Sequence, residues 1–211
     1  MFGVLLPIPP GDLTGDPTPD LLAIDGSGNL RNYPAEPDGD VNIHMPGGYN
    51  AAGELDDGYW GNGTNHALIS HSGDWYPGDG INDIISRMPD GRLYLYPGDG
   101  YGYGYGYGYG YGYGTFNTDE RLDVLLPPGS PNSAALTELA MTSDITGDGL
   151  PDMFAVAGDQ LWAFTGYTGG NFTSARLLSS SAWASRDIVT VADITGDNVA
   201  FRQVTLRSTS P

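Results

Sequence analysis

Residues 143–166 read SDITGDGLPDMFAVAGDQLWAFTG, and this stretch decides the fold. It holds an acidic loop, an apolar run from Met153 to Val156, a Gly158-Asp159 turn, and a second run ending in Phe164. Short apolar runs joined by turn residues specify a β-hairpin. The same order recurs in GDLTGDPTPDLLAIDGSGNLRNYP (11–34) and in GDWYPGDGINDIISRMPDGRLYLYPG (73–98). A fourth copy, ADITGDNVAFRQV (192–204), begins alike and then departs.

Further apolar runs flank each hairpin. VLLPI, ALIS, LTELAM and DIVTVA precede the loops, and VNIHM, RLDVLLP and ARLLS follow the aromatic residue. Each unit therefore has about four short strands. The loops begin at Asp12, Asp74, Asp144 and Asp193, so the spacings are 62, 70 and 49 residues. The shortest spacing is the bare unit. The longest contains seven consecutive Tyr-Gly pairs at 101–114, which read as a low-complexity insertion. The acidic, glycine-rich stretch at 53–66 lengthens the first unit.

A four-stranded sheet of about 50 residues cannot bury both its faces alone and must stack on neighbours, as the blades of a β-propeller do. The expected fold is all-β: propeller blades of four short antiparallel strands at approximately 3–47, 66–128, 136–180 and 187–211. A β-solenoid is the structural alternative, with coils usually much shorter than these units. Three and a half blades fall short of a closed ring. The chain is expected to be part of a longer propeller, to pair with a second copy, or to stack into a filament.

In DITGDGLPD, Asp144, Asp148 and Asp152 stand four residues apart, with Thr146 between the first two and Gly149 at the sharp turn. Calcium takes about six to eight oxygens from a flexible loop. The expected donors are Asp144, Thr146 or a water it holds, Asp148, the Leu150 carbonyl and Asp152. Three carboxylates this close repel one another unless a cation lies among them. The first loop supplies Asp12, Thr14, Asp16 and Asp20 in the same pattern. The second carries one extra residue, so Asp74 stands five residues before Asp79, and Asp83 closes the loop. The fourth keeps Asp193, Thr195 and Asp197 but has Phe201 in the closing position, and weak binding or none is expected there. The competing reading is that Asp-Gly loops are ordinary turns; recurrence at equivalent points favours Ca2+.

These loops, followed by DLLAID, a turn and endings such as LYLYPG, resemble the FG-GAP or VCBS repeats of calcium-binding β-propellers. Such repeats occur in integrin α-subunits and in secreted bacterial proteins, notably of actinomycetes. The resemblance implies the propeller fold and the calcium. It also implies a lectin-like or adhesive module, often attached to hydrolases or toxins.

Charge narrows the partners. The chain has 211 residues, 39% of them hydrophobic, and carries 26 acidic against 8 basic residues, a formal charge of -18. Such a field repels nucleic acid and anionic lipid, so neither nucleic-acid binding nor membrane insertion is expected. All eight basic residues are arginine, and there is no cysteine, hence no disulfide framework. The start, MFGVLLPIPPGD, lacks a basic region and is interrupted by Pro7, so it does not read as a signal peptide. A secreted, extracellular protein would then be present here as a mature form or a fragment.

No enzyme is expected. The histidines, His44, His66 and His71, lie in no metal or nucleophile motif, and His71, Ser72 and Asp74 are too close in sequence to form a triad. Two functional classes remain. One is a non-catalytic module that binds glycan or an extracellular protein through loop aromatics such as Tyr49, Tyr59, Trp60, Tyr167 and Trp183, unless Trp60 and Trp183 plug the core between blades. The other is a structural subunit of an extracellular assembly. In that case self-association uses the open ends and the Tyr-Gly tract, a mobile loop whose tyrosine face orders by stacking on another copy or on polysaccharide.

Overall fold

The computed structural model describes residues 12–14, 20–35, 45–46, 48–49, 58–61, 68–71, 73–76, 78–98, 116–184, 186 and 188. The expected blade at 187–211, apart from Ile188, lies outside the described residues, as do Asp16, Asp193, Thr195, Asp197 and the Tyr-Gly tract.

The chain is all-β, and the described residues contain no α-helix, only two single-turn 3-10 segments at Thr118–Glu120 and Ser133–Ala135. In chain order the strands are β1 (Leu21–Ile24), β2 (Leu30–Tyr33), β3 (Met45–Pro46), β4 (Gly48–Tyr49), β5 (Leu68–His71), β6 (Ile84–Arg87), β7 (Leu93–Tyr96), β8 (Phe116–Asn117), β9 (Leu122–Val124), β10 (Leu136–Thr142), β11 (Asp152–Ala157), β12 (Gln160–Tyr167) and β13 (Phe172–Ser179). They form three antiparallel meanders: β1-β2-β3, β5-β6-β7-β9 and β10-β11-β12-β13. The expected hairpins are present in register, with Leu21 opposite Tyr33, Ile84 opposite Tyr96, and Met153 opposite Phe164.

Alternation places the side chains. In the second sheet, Ile85, Leu93 and Leu95 join one core with Met141, Met153, Ala155 and Phe164 of the third. Ile84, Tyr94 and Tyr96 point the other way, into a core with Leu22 and Leu30 of the first. A strand buried on both faces reads as a continuous apolar run, and all four residues of β7, LYLY, are buried. The third sheet repeats this arrangement: Val156 and Leu161 turn from the second sheet and pack on Trp183 and Ile188. The sheets therefore stack in chain order, and their first strands, β5 and β10, lie beside each other as inner strands of adjacent blades do.

Two features depart from the expected hairpins. β4 pairs in parallel with β8, Gly48 opposite Phe116, which ties the first unit to the second. Such a pairing joins residues far apart in sequence and leaves no periodic pattern to read. The stretch expected merely to lengthen the first unit supplies a core residue, because Trp60 is buried between the first two sheets. Its backbone N–H donates to the Gly28 carbonyl at 2.9 Å, and the Gly58 N–H to Asn29 Oδ1 at 2.6 Å, fixing the segment on the β1-β2 turn.

Candidate metal centre

In the second and third sheets the acidic loop sits where the first strand passes into the hairpin, in the first it precedes β1, and in all three the closing aspartate is completely buried. Asp20 accepts the Leu13 N–H on Oδ2 at 2.8 Å and the Ala35 N–H on Oδ1 at 2.9 Å. Asp83 accepts the Trp75 and Tyr76 N–H groups on Oδ2 at 2.6 and 2.8 Å, and the Gly98 N–H on Oδ1 at 2.9 Å. Asp152 accepts the Ile145 N–H on Oδ2 at 2.8 Å and the Gly166 N–H on Oδ1 at 2.9 Å. One oxygen holds the start of the loop and the other holds the exit of the hairpin's second strand. The carboxylate is a strut between two backbone segments, and it satisfies a buried N–H on each.

Burial pushes the Asp83 carboxyl up to about 7, against the pull of the Gly98, Trp75 and Tyr76 N–H groups, and the charge of Asp74 adds to the rise. Burial likewise pushes Asp152 up to about 6 against the Ile145 and Gly166 N–H groups, with Asp148 and Asp144 adding to it. Asp144 moves the other way. Burial opposes its ionised form, but the N–H groups of Gly149, Gly147 and Thr146 outweigh burial and hold its carboxyl below the usual range.

The third loop, the most complete by spacing, turns its backbone toward its first carboxylate. Asp144 Oδ1 accepts from the N–H groups of Thr146, Gly147 and Asp148 and from the Thr146 hydroxyl, and Oδ2 accepts from Gly149 N–H at 2.7 Å. Gly149 makes the expected sharp turn with φ +82°. Asp148 is exposed and accepts the Leu150 N–H at 2.9 Å. Among the described residues, no three acidic or histidine side chains converge as a metal ion would require.

The other two loops differ. In the first, Asp12 Oδ1 accepts the Thr14 N–H at 3.0 Å, while the buried Thr14 hydroxyl has no hydrogen-bond partner. In the second, Asp74 Oδ2 accepts the Gly80 N–H at 2.7 Å and Asp79 Oδ1 the Ile81 N–H at 3.0 Å, but Asp74 Oδ1 is buried and unpaired. A buried oxygen without a donor costs about 1–3 kcal/mol, and a cation removes that cost. Donor chemistry at these two loops therefore fits a hard cation better than it does at the third.

The aromatic residues expected on a binding face are largely core. Trp60, Tyr167 and Trp183 are buried, Tyr59 is half-buried, and the side chain of Tyr49 lies outside the described residues. Trp60 packs edge-on against Tyr96 with ring centroids 4.8 Å apart, and Tyr167 lies 5.1 Å from Trp75. The reason is packing: each ring meets buried side chains of a sheet core, Trp60 between the first and second sheets, Tyr167 between the second and third, and Trp183 on the far face of the third. Sequence reading missed the strut's second anchor. Its trace is the residue two after each hairpin's final aromatic: Ala35 after Tyr33, Gly98 after Tyr96, Gly166 after Phe164.

No curated protein matches the chain. Residues 144–200, beginning at the first aspartate of the third loop and running through β11, β12 and β13, match the family model of the FG-GAP-like repeat, a β-propeller element.

Proposed function

We propose that this protein is a secreted, non-catalytic β-propeller-type module, stabilised by calcium, that binds an extracellular partner protein. The observation that carries the reading is recurrence: one acidic loop, closed by one buried aspartate, at the same place in three stacked sheets. A catalytic carboxylate must be free to take or give a proton at a substrate, whereas these three are engaged by backbone.

Each strut keeps a lone pair on at least one carboxylate oxygen, on Oδ1 in Asp83, whose Oδ2 already accepts two N–H groups, so the struts remain able to face a cation. In the first loop Asp12, Thr14, Asp16 and Asp20 would hold Ca2+. In the second they would be Asp74, Asp79 and Asp83, and in the third Asp144, Thr146, Asp148, Leu150 through its carbonyl, and Asp152. The ion supplies charge neutralisation to a chain of formal charge -18.

Leu125, Leu177 and Leu178 are exposed on or beside the outer strands β9 and β13 and favour a protein partner. A glycan is the second reading, favoured by exposed Tyr76 at 42%. Chelation tests the metal. A site filled at about one hundred times its dissociation constant adds roughly 2.7 kcal/mol, so thorough removal of calcium should lower the melting temperature by several degrees. An unchanged melt sinks the calcium reading. A glycan array run beside light scattering with candidate proteins separates the two partners, and glycan capture abolished by Tyr76→Ala would favour the sugar.

A further inference from the structure

Two arginines of the second sheet converge on one tyrosine. Arg92 stands immediately before β7 and Arg121 immediately before β9, and their guanidinium carbons lie 4.9 and 4.7 Å from the centroid of the Tyr94 ring. The ladder brings them there. Tyr94 of β7 sits opposite Asp123 of β9, and each arginine stands two positions before one member of that pair, so alternation turns both to the same face. Tyr94 is buried, which makes its ring a fixed platform under the two cations.

The two cations are held differently. Arg92 Nη2 pairs with Asp123 Oδ1 at 2.9 Å, and both side chains are more than half exposed. Arg121 has no carboxylate partner among the described residues, although Asp119 and Glu120 immediately precede it. Only its Nη1 is engaged, donating to the Tyr59 hydroxyl at 2.8 Å and to the Thr118 carbonyl at 3.4 Å. The Tyr59 hydroxyl lies 2.9 Å from that of buried Tyr96, and the Tyr59 ring packs edge-on against Trp60 with centroids 5.4 Å apart. A guanidinium carries its N–H donors in a rigid planar fork. Among the described residues, Nε and Nη2 of Arg121 are thus left over on an exposed side chain whose orientation is already fixed, and that edge takes a carboxylate in two parallel bonds.

We infer that Arg121, with Arg92 beside it, is the docking point for a single carboxylate side chain of the extracellular partner protein, carried on a segment whose neighbouring residues are basic. Charge complementarity selects that partner. Asp90, Asp119, Glu120 and Asp123 flank the two arginines in a chain of formal charge -18, so the site is a small cationic spot in an acidic surface. Such a surround repels a polyanion, whereas a lone carboxylate set between cations matches both the spot and its rim. Tyr94 is buried and carries the guanidinium groups, so it offers no open ring face to a sugar. The orientation of Arg121 before binding lowers the ordering cost of the contact. The inference rests on the reading of the protein as a binding module and names the chemistry of one contact.

The test is a titration of the full chain, in calcium and low salt, with the peptide acetyl-Lys-Glu-Lys-amide, followed by the NMR signals of the arginine side-chain Nε–H groups. The Arg121 signal should shift and saturate, that of Arg92 should shift less, and acetyl-Lys-Gln-Lys-amide should move neither. Arg121→Lys keeps the charge but loses the fork, and it should weaken the peptide about tenfold. An unmoved Arg121 signal overturns the site, as does equal binding by Arg121→Lys or by the glutamine peptide. Tighter binding of an oligoglucuronate than of the peptide gives the site to acidic glycan and overturns the partner named here. Should Arg121→Lys fail to fold, the wild-type response to the two peptides decides. A partner protein that light scattering shows bound equally by wild type and Arg121→Lys keeps the module reading and removes this site, whereas a wild-type chain that binds no protein removes both.

Discussion

A buried aspartate with backbone donors on both oxygens has no neutral substitute of the same shape. In Asp152→Asn the amide NH2 must face either the Ile145 or the Gly166 N–H, so one donor is left opposing another donor. The expected loss is about 2–4 kcal/mol, with similar losses for Asp20→Asn and Asp83→Asn. Asp148→Asn, at an exposed carboxylate holding one N–H, should cost under about 1 kcal/mol. Urea midpoints of the four variants check this, and equal losses would mean that the struts carry no special share of stability. The same carboxylates set a pH dependence in calcium-free protein. Their folded values, about 7 for Asp83 and about 6 for Asp152, lie above the unfolded value near 4, so the folded state holds protons that the unfolded chain has released. That contribution is whole below about pH 4 and is lost as pH rises through 6 and 7. Melting in chelator should therefore be higher at pH 5 than at pH 8, with a smaller difference in Asp83→Asn; a higher melt at pH 8 would show the opposite linkage. Spacing alone located these aspartates, but only their neighbours in space reveal that backbone N–H groups claim both oxygens.

At the scale of elements, the hairpins were legible because their signals are local: apolar alternation, a glycine-bearing turn, an aromatic at the end. The Tyr-Gly tract, expected as an insertion, lies outside the described residues, but the strands on either side of it pair with each other. β7 pairs directly with β9, Leu93 opposite Val124 and Leu95 opposite Leu122. Gly98 and Phe116 bridge each other, and the Gly98 N–H is held by Asp83. Replacing Tyr101 to Gly114 with Gly-Ser should then change stability by less than about 1 kcal/mol, since loop-closure entropy varies slowly with length. A collapse of the fold in that variant would make the tract part of the core. An unchanged melt with weakened self-association or glycan adhesion would assign the tract to binding. The β4–β8 pairing was not legible, because a two-residue parallel contact between Gly48–Tyr49 and Phe116–Asn117 has no turn and no alternation to announce it.

Among the described residues, a buried tryptophan lies in each of the three cores: Trp60 between the first and second sheets, Trp75 between the second and third, where partly buried Trp162 also packs, and Trp183 on the far face of the third. Burial of so large a side chain is worth several CH2 groups of transfer energy and leaves a large cavity when removed. Trp75→Ala should cost about 3–5 kcal/mol and lower the melting of the second and third sheets together. Two separate transitions with one sheet unaffected would show that the sheets are not coupled through this residue. The all-β class, the three hairpins and the position of the acidic loop before each of them were determined by the sequence alone, since period and turn chemistry act over a few residues. Tertiary structure decided what those side chains do. Trp60, Tyr167 and Trp183 are core residues because neighbouring sheets bury them, and Tyr167 meets the second loop across more than eighty residues of chain. Each carboxylate's role likewise depends on donors brought by folding, and the strength of a hydrogen bond or a cation site depends on distance in space, which residue spacing along the chain does not encode.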